Sequence, residues 1–288
     1  MPVPLIPFAS AGGVSEASAT IIEKNILRKR KIGYKEYTVY GFLVISLIML
    51  FFVEAFWRVD SQAFEIKNIL ILLAVVFFAA IANFLIFYAM KWEKITEMEP
   101  LRLFQPLFVI ILAFIFYSSE RQNPVSVIIA ALVASLALIF SHIKKHHFQL
   151  NKYLIATLFG SFFFALELAL SKSILPYYSE LSFYFIRCSV IFLASFIILR
   201  PSPKTIDKKS WIYMIIASAI WIVYRMLLYF GYLHYDVIFT TLLFILGPVF
   251  IYIFASIFLR EKWTKKNIIS TIIILACVAY AIWQHNVV

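Results

Sequence analysis

The stretch NILILLAVVFFAAIANFLIFYAM, residues 68–90, decides the fold. It carries no charge, and its 23 residues as a helix at about 1.5 Å each reach across the roughly 30 Å hydrocarbon core of a bilayer. Backbone N–H and C=O groups in lipid must be paired within the segment, so the stretch is a helix. A barrel strand would alternate apolar and polar residues, and this one does not. Outward from it, nine more apolar segments follow the same rule: 3–22, 37–57, 101–119, 124–142, 153–171, 181–199, 211–233, 237–259 and 267–284. Ten helices of about 20 residues use roughly 200 positions and leave about nine per connection, with no room for a soluble catalytic domain.

Composition agrees. The 288 residues are 63% hydrophobic and 14% charged, with mean hydropathy +0.91 and 30 Phe, where a soluble chain runs nearer half apolar and a quarter charged. The net charge of +11 is scattered over five loops, which points to loops facing anionic lipid and away from nucleic acid. Cys188 and Cys277 lie in apolar runs and read as small packing residues. No Lys or Arg precedes Lys24, so the start lacks the basic region of a signal peptide.

The first segment is the least apolar. Ala11-Gly12-Gly13-Val14-Ser15-Glu16-Ala17-Ser18-Ala19-Thr20 is too polar to face lipid but suits close packing inside a bundle. The competing reading is nine helices with a peripheral N-terminus. An internal repeat favours ten. A shift of 142 sets Asn83 on Arg225, Ala89 on Gly231 and Pro106 on Pro248; a shift of 148 sets Gly12 on Gly160 and Lys24 on Lys172. Glu120-Arg121 matches Glu261-Lys262 with a one-residue slip. The expected fold is therefore an all-α integral membrane protein whose ten transmembrane helices form two five-helix repeats, 1–147 and 148–288. An odd number of crossings per repeat inverts the second relative to the first.

These residues resemble the EamA-type transporters of the drug/metabolite transporter superfamily. The likeness rests on Phe159-Gly160-Ser161-Phe162-Phe163, Arg187, Tyr88-Ala89-Met90-Lys91-Trp92, the prolines 106 and 248, and the Glu-Arg and Glu-Lys pairs. The resemblance implies a cavity between the two repeats. The first repeat departs from the second in having Gly41 near the place of Arg187. Of the 26 Lys and Arg, twenty flank the loops after odd-numbered helices, four lie on the opposite side, and Arg187 and Arg225 lie within helices. The positive-inside rule then places both termini outside, whereas the resemblance implies termini in the cytoplasm.

Ionisable groups inside helices are the sharpest functional signal, because each costs at least about 2.5–3.5 kcal/mol without a partner or water. Glu167, Arg187 and Arg225 lie roughly 9–12 Å from one membrane face, within a turn of one another. Asn83 mirrors Arg225, and Glu16 falls three residues from the mirror of Glu167. Tyr184 is one turn from Arg187, and Trp221 one turn from Arg225. These seven are the candidate substrate-binding residues, with Glu167 and Glu16 the candidate proton carriers. One arginine is expected to pair with Glu167 and the other to face substrate. A buried ion pair with a purely structural role is the competing reading. His142, His146 and His147 sit beside Lys144 and Lys145, and read as an interfacial basic loop in preference to a metal site. No nucleotide fingerprint, HExxH, GxSxG or clustered Asp is present, so no cofactor, metal or catalytic site is expected.

The leading reading is a secondary transporter in the plasma membrane, moving a small polar metabolite (an amino acid or related anion or zwitterion) by alternating access with protons as coupling ion. The protein would work as a monomer or homodimer among membrane lipids. A flippase of a lipid-linked group and an intramembrane enzyme are the alternatives.

Overall fold

The structure is a computed structural model describing residues 4–29, 32–93, 98, 101–122, 125–142, 151–202, 206–259 and 265–287. Glu97, Glu99, His146, His147, Glu261 and Lys262 lie outside these, as does the side chain of His142. The described chain is helical: α1 Leu5–Lys29, α2 Tyr34–Phe56, α3 Ile66–Trp92, α4 Phe104–Phe116, α5 Val125–His142, α6 Lys152–Ile174, α7 Glu180–Leu199, α8 Lys208–His234, α9 Val237–Phe244, α10 Leu246–Leu259 and α11 Lys265–Val287. Among the described residues α1, α2, α3, α6, α7 and α8 are long and apolar enough to cross a membrane, and shorter apolar stretches lie at Phe104–Phe116, Val125–Ala137, Val237–Phe250 and Ile268–Gln284. Phe51, Ile66, Phe77 and Ile198 are among many large apolar side chains left on the surface, as a bundle set in lipid requires.

Two differences from the sequence reading matter. The first helix runs seven residues past 22, and within that extension the Lys24 ammonium turns onto the backbone carbonyls of Met90 and Glu93 at the end of α3. The segment 237–259 is two helices, α9 and α10, broken at Ile245. Pro248 has no N–H to bond the carbonyl of Phe244, four residues back, and the helix opens one residue beyond it. Pro106 stands in the same relation to Arg102, and the chain breaks at Leu103. The two breaks are 142 residues apart, the shift that aligns the prolines.

Packing pairs helices of one repeat with helices of the other. The α1 helix lies on α8 and α10, while α6 lies on α3 and α4; α2 packs on α7, and α5 on α11. Glycines let these contacts close. A Cβ at Gly12 would sit 2.5 Å from the Phe244 ring, and one at Gly160 would sit 2.9 Å from Ile86. Lysines finish the helix ends symmetrically. Lys24 Nζ donates to the carbonyl of Met90 at 3.0 Å, and Lys172 Nζ donates to that of Tyr232 at 2.8 Å. The two lysines are 148 apart and the two carbonyls 142 apart, so the repeat is visible as bonded pairs. A cation at a helix C-terminus is favoured by the unpaired carbonyls there.

The helix ends form two layers. In one, Lys91 Nζ donates to Leu27 and Ile32 carbonyls at 3.0 and 2.7 Å, Tyr40 Oη to Pro201 at 3.1 Å, and Asn151 Nδ2 to Glu93 at 2.8 Å. This is the end bearing the basic loops. At the other end the repeats are stitched through the backbone. Val59 and Tyr178 form an antiparallel bridge, Asp60 N–H donates to Tyr177 at 2.8 Å, and Ser179 N–H donates to Arg58 at 2.9 Å.

Candidate functional site

The charged layer comes from three helices. Glu167 on α6 is wholly buried, and its Oε1 lies 3.0 Å from Arg187 Nε while its Oε2 accepts from Arg225 Nη1 at 3.3 Å. Tyr229 Oη donates to Oε1 at 3.4 Å. Both arginines therefore hold the one carboxylate, which corrects the expectation that only one does. The reason is geometric: a carboxylate has two oxygens, and Arg187 lies at Oε1 while Arg225 lies at Oε2. The group of three still carries a surplus positive charge.

Aromatic faces support these cations. The Arg187 guanidinium lies 5.6 Å from the Tyr184 ring centre, and that of Arg225 lies 5.8 Å from Phe164 and 5.9 Å from Tyr229. Arg187 Nη2 is buried without a hydrogen bond among the described residues. An unsatisfied buried donor is costly, so a donor here is poised for an acceptor.

Arg187 and Arg225 line a cavity together with Asn83, Tyr184 and Trp221. Glu23, Tyr37, Gly41, Arg102, Phe164 and Ser218 also face it. It offers about 60 Å³ to the centres of water molecules, enough for a handful at roughly 10–15 Å³ each. Most of its walls come from the half of the bundle nearer the basic loops, where α1 and α3 end and α2 begins. Asn83 spends Nδ2 on the Ala79 carbonyl of its own helix at 2.8 Å, leaving its amide oxygen for the cavity. A Cβ added at Gly41 would meet nothing within 4 Å, so the place lacking an Arg equivalent is open space.

Five of the seven candidate residues thus share one cavity. Glu167 stands behind the arginines and is not among its lining residues. Glu16 lines a second cavity of about 50 Å³, between the two proline breaks, with Gln105, Pro106, Tyr224, Thr241 and Pro248. Its carboxylate lies against Gly247, in the first turn of α10. Arg102 borders both cavities, and its charge acts on Glu23.

Sequence reasoning missed Glu23, Tyr37 and Arg102. Glu23 is 5% exposed and accepts from Tyr37 Oη at 3.0 Å and Trp221 Nε1 at 2.8 Å. Ending the first helix at 22 put Glu23 in a loop. Its position seven residues from Glu16, two turns along one face, was the available signal.

At the stitched end, Glu120 caps a helix, but not the one that follows it. Its oxygens accept from Val237 N–H at 2.7 Å and Ile238 N–H at 3.0 Å, at the start of α9, with Lys172 at 3.7 Å. Burial pushes the Glu120 carboxyl above the usual carboxylate range, and these two amides and the ammonium oppose that. Lys172 also pairs with Asp236 at 3.1 Å. Asp236 has φ 70° and ψ 164°, backbone normally left to glycine.

A helical bundle with long apolar helices, an apolar surface and interlocked repeats is the architecture of a multi-pass membrane protein. The family model of the EamA-like transporters matches residues 4–142 and again 151–283. The chain belongs to the EamA-like transporter family, within the drug/metabolite transporter superfamily. No curated protein matches it. A solved crystal structure aligns over 96% of this chain and 96% of its own with TM-score 0.72 at 10% identity, which shows a shared fold.

Proposed function

We propose that the protein is a secondary active transporter of the plasma membrane. It carries a small polar metabolite bearing a carboxylate or similar anionic group, such as an amino acid, by alternating access, with protons as coupling ion. It does so as ten transmembrane helices in two inverted repeats, 1–147 and 148–288. One observation carries the substrate class: two buried arginines share a single carboxylate, Glu167, and turn toward a cavity between the repeats, so this group of three has one more positive than negative charge. A guanidinium presents a planar fork of donors that fits a carboxylate or phosphate. Tyr184, Trp221 and Asn83 supply aromatic surface and an amide oxygen beside it. In the described conformation the bundle is sealed by backbone bonds at the end away from the basic loops, so the cavity would exchange substrate on the basic side.

The test is a thermal-shift screen of the purified protein against amino acids, nucleotides, sugars and organic cations. Ligands with an anionic group should raise the unfolding temperature, and Arg225→Gln should erase the shift while the protein stays folded. Stabilisation by organic cations alone would contradict the reading.

A further inference from the structure

The carboxylate of Glu23 faces the same cavity and plays no part in holding the arginines. Both of its donors, Tyr37 Oη and Trp221 Nε1, end on Oε1. Oε2 makes no hydrogen bond among the described residues. Glu23, Glu167 and the partly buried Glu16 therefore differ in what protonation would do to their surroundings, while Glu120, also buried, is spent on the start of α9 at the opposite end. A proton on Glu167 would strand two buried cations, Arg187 and Arg225, that have it as their common counter-ion. Glu16 lies outside this cavity, against Gly247. A proton on Glu23 would leave only two neutral donors, and a carboxylic acid still accepts from those through its carbonyl oxygen.

We propose that Glu23 is the carboxyl group through which protons enter and leave the transport cavity, the proton passing between cavity water and Oε2. The charged and titratable groups around it are Tyr37 from α2, Arg102 ahead of α4, Tyr184 and Arg187 from α7, and Arg225 from α8. Lys24, next along α1, is turned away to the end of α3, and neither α9 nor α10 contains a charged residue. Protonation of Glu23 removes one negative charge from a cavity lined by Arg187 and Arg225, whose shared counter-ion is Glu167. Proton binding then tightens anion binding, and by linkage the anion tightens the proton by the same factor. Proton and anion move together across the membrane. This direction of coupling rests on the transporter reading; the proton exchange itself does not.

Infrared difference spectra of the purified protein, taken between mildly acidic and mildly alkaline pH, test it without any substrate. Surface carboxylates stay ionised over that range, and a buried acid shows the carbonyl stretch of its protonated form. Glu23→Gln should remove the part of this band that Glu23 contributes, and any part from buried Glu120 should stay. Trp221→Phe keeps the carboxyl and deletes one donor, so it should shift the band in frequency; this variant decides the matter if Glu23→Gln does not fold. A band unchanged in either folded variant, or no band in the parent protein, would overturn the assignment. Neither result touches the transporter reading. Conversely, failure of every anionic compound to bind, with the band present and reduced in Glu23→Gln, would sink the substrate reading and leave Glu23 as a proton-exchanging group.

Discussion

At the scale of residues, the buried ion pairs are kept by mutual need. Taking charges out of water costs several kcal/mol each, and the group is tolerable only because Glu167 answers both arginines. Glu167→Gln should lower stability by about 3–5 kcal/mol, read as a fall in the thermal unfolding midpoint in detergent, because it leaves two buried cations unanswered. Midpoints equal to the parent would mean that water reaches the arginines and that the group is not buried as described. Gly41 gives a second test. Its Cβ position is empty space on the cavity wall. Gly41→Phe should leave the fold intact and block ligand stabilisation by filling the cavity, and an undiminished ligand shift would place the site elsewhere. The charged layer was legible because Arg187, Arg225 and Glu167 interrupt runs otherwise free of charge. Glu23 and Arg102 were not, since both stand beside loop charges and only the folded helix ends show them turning inward.

At the scale of elements, the helices themselves were plain from the sequence, since lipid leaves no other way to satisfy a backbone. The breaks at Leu103 and Ile245 were less so. A proline in a transmembrane helix announces a kink, but whether the helix bends or parts depends on what takes up the freed carbonyl. The first helix carries the clearest local test of packing. Gly12 meets Phe244 where α1 crosses α9 between the repeats. Gly12→Ala should cost about 1–3 kcal/mol by overpacking, measured by chemical or thermal unfolding. Gly41→Ala is the control in open space and should stabilise its helix by about 0.5–1 kcal/mol. The opposite ordering of the two alanine variants would show that α1 does not sit against α9 as closely as described.

At the scale of the whole molecule, the repeats interlock, and in the proposed alternating access the two layers of helix ends would open in turn. By the positive-inside rule, twenty basic residues against four would orient the bundle with its basic loops inside. A cysteine at Lys208 should accordingly react with an impermeant thiol reagent only after the membrane is opened, and one at His285 from outside. Reactivity of His285→Cys only from the cytoplasm would reverse the orientation and leave the cavity chemistry as it is. The opposite end is closed by the Val59–Tyr178 bridge, which joins the loop after α2 to the loop after α6 and so spans both repeats. Alternating access requires that bridge to part in every cycle. Cysteines at Val59 and Tyr178, oxidised to a disulfide, should hold it shut. The direct measurement is exchange of a radiolabelled ligand across proteoliposome membranes containing this double variant. The account predicts that exchange stops on oxidation and returns on reduction, while thermal-shift binding persists in both forms. Undiminished exchange with the disulfide verified as formed would contradict alternating access through this closure.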